Sequence, residues 1–202
     1  MASERPTVTK RLFLWLIVAA AAALALLLFA MRPAMNRQAA QVDSTAVKNL
    51  TVTIDNQSFT LKDGVAEVPA APGSSAKNTL RVVGDPVSGD VNGGDVNSGG
   101  RPDAALLLAN DPGGSGTFYY AVLAVNDGGA APAVNDGGSL HATNALLLGD
   151  RIKPQDVSFS DGTVVYRFLE RKPGESMAAD PSVSKSVAIR LDPASGRIAA
   201  VN

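Results

Sequence analysis

The sequence predicts a mainly β fold class: antiparallel hairpins in a sandwich-like or α+β arrangement, preceded by one transmembrane helix. Three observations carry this. Residues 12–31 form an unbroken apolar run. Beyond residue 49 the apolar residues recur with period two in short segments, the signature of half-buried strands. Those segments are separated by Asp-Gly, Asn and Pro/Gly clusters, and no window there keeps apolar residues at i, i+3, i+4 and i+7.

Residues 1–11 read as a short cytoplasmic tail carrying Arg5, Lys10 and Arg11. The run LFLWLIVAAAAALALLLFAM at 12–31 holds no charge, Pro or Gly. At a rise of about 1.5 Å per residue, a helix of this length spans about 30 Å, the thickness of a bilayer's hydrocarbon core. The basic residues before it favour a cytoplasmic N-terminus, although Arg32 and Arg37 stand on the far side. A cleaved signal peptide is the competing reading. It fits less well, because the run is long and RPAMNRQAAQ after it offers no good small-x-small site. The run contains no Glu, which excludes a pilin-like anchor. Ala19 and Ala23 give a small-xxx-small spacing, expected by chance in so alanine-rich a span. Residues 32–48, with Pro33 as a breaker, read as a juxtamembrane spacer.

Residues 49–202 read as one periplasmic β-rich domain, long enough for its own core. TVTID, SFTLK, VAEV and TLRVV are its first strands, with Asp63-Gly64 among the turns. DAALLLA at 103–109 and TFYYAVLAV at 117–125 form a hairpin around the loop NDPGGSG. ATNALLLG at 142–149 reads as a buried strand. VSFS and TVVYRFL around Asp161-Gly162 give the strongest hairpin signal, and SVAIRL and RIAAV around DPASG another.

Composition excludes several functions. With no cysteine there is no disulfide, thiol nucleophile, Fe–S cluster or cysteine zinc site, and one histidine leaves little room for a polyhistidine centre. A net charge of -1 gives no case for nucleic acid as a partner. The balance is uneven. Residues 43–202 carry 13 basic against 18 acidic residues, 15 of the latter Asp, the acid that favours turns and caps.

The loop Asp95-Val-Asn97-Ser-Gly99-Gly100-Arg101-Pro-Asp103 has partial calcium-loop spacing. Asp95, Asn97, the Arg101 carbonyl and Asp103 would fill positions one, three, seven and nine. Gly99 at position five and Leu106 at position twelve bring no side-chain oxygen, so a weak calcium site, with Asp95, Asn97 and Asp103 as ligands, is the only cofactor expectation. Asp90 and Asn92 of the duplicated copy DVNGG could add oxygens. A second duplication, AVNDGGAAP followed by AVNDGGSLH, is most simply loop expansion. His141 has no motif-fixed partner, and Gly-Gly-Ser-Gly at 113–116 is neither a nucleophile elbow nor a phosphate loop. Phe118, Tyr119 and Tyr120 must alternate faces in a strand, one face core and the other a candidate contact surface. ERKPGES at 170–176 reads as a solvated turn.

The segments GDVNSGGRPDAALLL, GGSGTFYY, ALLLGDRI and DGTVVYRF with RKPGE resemble a poorly characterised family of bacterial envelope proteins. The resemblance covers about residues 80–192. It implies a membrane or lipid anchor and a small β-rich domain outside the cytoplasmic membrane, and it brings no catalytic residues. This chain departs from the family at Gly99 in the acidic glycine loop, and lacks the cysteines that some relatives carry near the late Pro-rich loop.

The expectation is a single-pass protein of the bacterial inner membrane with its C-terminal domain in the periplasm. Its partners would be the bilayer, through residues 12–31, and an envelope protein. The expected role is a non-enzymatic binding or assembly module. A calcium-stabilised module and a hydrolase using Asp or Ser are the alternatives.

Overall fold

Three two-residue turns set the strand pairing at the N- and C-terminal parts of the domain. Asp55-Asn56, Asp63-Gly64 and Asp161-Gly162 all have positive φ at both positions, the backbone of a type I′ turn, whose twist matches that of the flanking strands. A computed structural model describes residues 41–89, 94–127 and 140–201. The elements run α1 (Ser44–Val47), β1 (Thr51–Ile54), β2 (Gln57–Thr60), β3 (Val65–Pro69), β4 (Lys77–Val82), β5 (Val87–Ser88), β6 (Ala104–Asp111), β7 (Phe118–Asn126), β8 (Leu140–Ala142), β9 (Leu146–Asp150), β10 (Lys153–Ser160), β11 (Thr163–Glu170), β12 (Val183–Asp192) and β13 (Arg197–Val201). Every described pairing is antiparallel. The domain is therefore mainly β, as its periodicity predicts.

The β6–β7 hairpin is the spine of the central sheet, which runs β3-β4-β6-β7-β8. On one side β4 covers one end of β6 and β5 the other. On the other side β8 and β9 divide β7 in the same way. Both faces of the spine are covered, so its runs are continuously apolar rather than alternating. Alternation then sends neighbouring residues to different cores. Leu106, Leu108, Tyr120, Val122 and Ala124 enter a first core with Val52, Ile54 and Phe59 of the β1–β2 hairpin and Val47 of α1. Ala105, Leu107, Ala121, Leu123 and Val125 enter a second core with Val164, Tyr166, Phe168, Ile189, Leu191 and Ile198 of the β10-β11-β12-β13 sheet. The result is three layers: hairpin with helical turn, central sheet, four-stranded sheet. The Tyr166 hydroxyl crosses the second core, within 3.0 Å of the Leu106 carbonyl and 3.3 Å of that of Val122.

Several expectations change. The tail 1–11, the run 12–31 and most of the spacer lie outside the described residues; among the described residues no helix is long and apolar enough to cross a membrane. The change of period at Asn49 marks the domain's start too late. Val47 is fully buried in the first core, and the Val42 amide donates to Ser88 Oγ at 3.0 Å. Residues 142–149 are not one buried strand. Thr143 ends the ladder by accepting the Leu123 amide on its own Oγ1, at 3.0 Å. A register shift between Tyr119 and Tyr120 then places Leu147 opposite Tyr120 and Gly149 opposite Tyr119, so β9 carries one extra residue, Leu148. Leu148 is buried, whereas Leu147 is 54% exposed.

Candidate functional site

The structure puts Asp95, Asn97 and Asp103 in one loop, but their oxygens meet the loop's own amides. Asp95 accepts from Gly99 at 2.9 Å and Gly100 at 2.7 Å. Asn97 Oδ1 also accepts from Gly99, at 2.8 Å. Asp103 is fully buried and accepts from the Val96 amide at 2.7 Å and the Asn126 amide at 2.8 Å. Burial holds its carboxyl above the usual carboxylate range; the two amides oppose that, and the negative charge of Asp95 adds to it. These are Asx-type turn contacts that close the loop and clasp it to the end of β7. Among the described residues no group of three His, Asp or Glu stands as a metal would require. Asp90, Asn92 and the segment 128–139 lie outside the described residues.

The arrangement with most chemical potential lies elsewhere, where the four-residue strands of the β1–β2 hairpin leave part of the central sheet uncovered. A groove of about 310 Å³ opens there, with Phe59 from the hairpin and Asn78, Asn110, Phe118, Tyr120 and Leu147 from the sheet in its walls. Asn110 pairs with Leu80 in the β4–β6 ladder, so Asn78 lies diagonally beside it on the same face. The Asn78 amide nitrogen donates to Gln57 Oε1 at 2.8 Å. Both Asn78 Oδ1 and Asn110 Oδ1 are buried and accept no hydrogen bond among the described residues. Such an atom forgoes water without recompense, at a cost of about 1–3 kcal/mol.

A second, polar depression of about 430 Å³ adjoins the first, sharing Ile54, Asp55 and Tyr120 with it and adding Thr51, Asn144 and Arg197. Asp55 thus stands in both. Burial, followed by the negative charge of Asp55 and a hydrogen bond to it, holds the Tyr120 phenol above its usual range. Asn144 works as a staple. Its side chain accepts the Ile198 amide at 2.7 Å and donates to the Ile198 carbonyl at 3.2 Å, copying a strand's hydrogen bonds and tying the central sheet's broken edge to β13. A third cleft, about 290 Å³ and largely apolar, opens along the second core beside Leu107, Tyr166 and Phe168.

Other sequence-marked residues are placed as follows. His141 is exposed on β8, its Nδ1 3.0 Å from Asp127 Oδ2. Phe118 and Tyr120 pack on the first core and also line the groove, and Tyr119 packs against the second core. Arg171 is not simply solvated: its guanidinium donates to the Ala179 carbonyl and, at 3.0 Å, to that of Arg151. Asn78, Asn110 and Asn144 were not marked by the sequence reading. A buried polar residue closing an otherwise unbroken apolar run, as Asn110 does in AALLLAND, is the signal that finds Asn110.

Compared with family models, with curated proteins and with solved structures, the chain matches none.

Proposed function

We propose that the chain is a membrane-anchored, periplasmic binding or assembly module of the bacterial envelope, without enzymatic activity. The observation that carries the binding role is the groove itself, about 310 Å³, walled by the half-buried ring of Phe118, the exposed Leu147 and Asp55. The apolar run 12–31 supports the anchor, and the basic residues Arg5, Lys10 and Arg11 before it support a cytoplasmic N-terminus with the domain on the far side. The partners are then the bilayer and an envelope protein. Crosslinking the full-length chain in membranes, followed by carbonate extraction and purification, tests this. The chain is expected to stay in the membrane fraction and to hold one partner, which Leu147→Asp loses. Release by carbonate, or a mature N-terminus near residues 35–42, would overturn the anchor. Unchanged crosslinks in Leu147→Asp would overturn the groove's role.

A second reading, a calcium-stabilised module, rests on one observation: Asp95, Asn97 and Asp103 lie in one loop, where Asp95 and Asn97 share the Gly99 amide and Asp103 accepts from Val96. Few charged ligands imply a weak site of about 10⁻⁴–10⁻³ M. Calcium at a few millimolar is then expected to raise the melting temperature by a few degrees. A melting temperature indifferent to about 10 mM calcium overturns it.

A further inference from the structure

We infer that Asp161-Gly162, at the tip of the β10–β11 hairpin, converts spontaneously to isoaspartate, while Asp63-Gly64, in the same kind of turn, is protected by its surroundings. The chemistry needs no partner. The Gly162 nitrogen attacks Asp161 Cγ and closes a five-membered succinimide. One C–N bond forms, one C–O bond breaks, and the amide proton leaves with the carboxylic acid's hydroxyl as water. Water then opens the ring at either carbonyl. The chain returns to aspartate or is rerouted through the side chain as isoaspartate. A glycine after the aspartate leaves the attacking nitrogen unhindered, so the two pairs are alike in sequence. They are alike in backbone too, with positive φ at all four residues. Closing the ring turns the aspartate's main chain out of that left-handed conformation, so the rate follows the ease with which each turn opens. There the two differ. Gly64 is buried. Its amide donates to the Lys48 carbonyl at 2.7 Å, and its carbonyl accepts the Val82 amide at 2.7 Å. At the other turn Asp161 is exposed. Among the described residues neither its carboxyl nor the Gly162 amide has a hydrogen-bond partner. A Cβ at residue 162 would meet nothing within 4 Å, whereas one at residue 64 would stand against Val82. β10 is the outer strand of its sheet, with β11 as its one neighbour, so opening this turn disturbs a single pairing. Isoaspartate adds one carbon to the main chain, which a two-residue turn does not absorb without loosening the hairpin.

The full-length chain in detergent micelles is aged for several weeks in warm neutral buffer. Isoaspartate is located by enzymatic methylation of its free α-carboxyl, and by electron-transfer fragmentation of the peptides carrying residues 63 and 161. It is expected at 161, and at least about fivefold less at 63, where the turn must first give up a buried hydrogen bond. In concentrated urea the two sites should react at similar rates, because the fold alone separates them. Amide exchange in β10 should be faster in the aged chain than in the fresh one. Asp161→Glu should remove that change, since glutamate keeps the charge and closes its six-membered ring far more slowly. The comparison of 161 with 63 is made within one wild-type chain, so it stands even if the variant folds poorly. No isoaspartate at 161, or equal amounts at 161 and 63 in the folded chain, would overturn the inference. So would a difference between the sites that persists in urea, or β10 exchange that quickens with age in Asp161→Glu as it does in the wild type.

Discussion

Asp103 stands at the head of the central hairpin, out of solvent, and holds backbone amides from two separate segments. Its own amide and carbonyl are tied as well, to Gly94 and Gly89. Asparagine offers one acceptor oxygen where the carboxylate offers two, so Asp103→Asn leaves one buried amide facing an NH₂ group. Chemical denaturation should show a loss of about 1–3 kcal/mol at neutral pH. The pH dependence has a definite sign. Burial holds the folded-state carboxyl above the ordinary carboxylate value, so the native chain binds this proton more readily than the unfolded chain. Its contribution to stability is full below the unfolded value and declines as pH rises through the folded one. The advantage of the wild type over Asp103→Asn should therefore be larger near pH 4 than at pH 7; the opposite trend would show that burial does not dominate at this site. Asn110 makes the contrary case. Replacing this buried amide, whose oxygen is unpaired, with leucine, which branches at the same carbon, should raise stability by about 1 kcal/mol, or a few degrees in melting temperature. A loss of that size would mean that Asn110 Oδ1 has a partner such as water.

At the scale of elements, hairpin turns and polar staples hold the layers in register. Gly162 has φ +71, a conformation that costs a side chain strain, so Gly162→Ala should lower stability by about 1 kcal/mol and weaken the β10–β11 hairpin. Tyr166→Phe removes the one described hydroxyl bridging the four-stranded sheet to the central hairpin carbonyls. A cost of about 0.5–1.5 kcal/mol is expected, with faster amide exchange across β11. A neutral effect would show that the second core is held by apolar burial alone. Most strands were legible from the sequence because period-two alternation and Asp-Gly pairs are local signals: β10, β11, β12 and β13 all follow from them. The breaks were not. Thr143 interrupts an apolar stretch by bonding Leu123, and Asn144 is fixed by Ile198, 54 residues away. Alternation assigns a residue to a face, but not the distant partner it meets there. For the same reason Asn78 and Asn110 read as isolated polar residues, although the β4–β6 ladder brings them together. The Asp/Gly loop was the converse case: its spacing suggested ligands, and its side chains serve as turn acceptors.

At the scale of the molecule, a spine buried on both faces supports two cores, and a groove opens beside the short hairpin over the first. Joined to the proposed anchor, this groove would serve as a docking point on the periplasmic side of the inner membrane. The covering hairpin has four-residue strands, and its turn residue Asp55 lines the groove. Lengthening β1 and β2 by two residues each should close it, raise stability and abolish binding. The most direct test of the central claim is site-specific photo-crosslinking of the full-length chain in living cells. A photoreactive residue is placed at Leu147 in the groove wall or, as control, at Met177, which is also exposed, at 45%, and does not line the groove. One discrete adduct is expected from position 147 and none from position 177. The same adducts from both positions, or no adduct from 147, would contradict it.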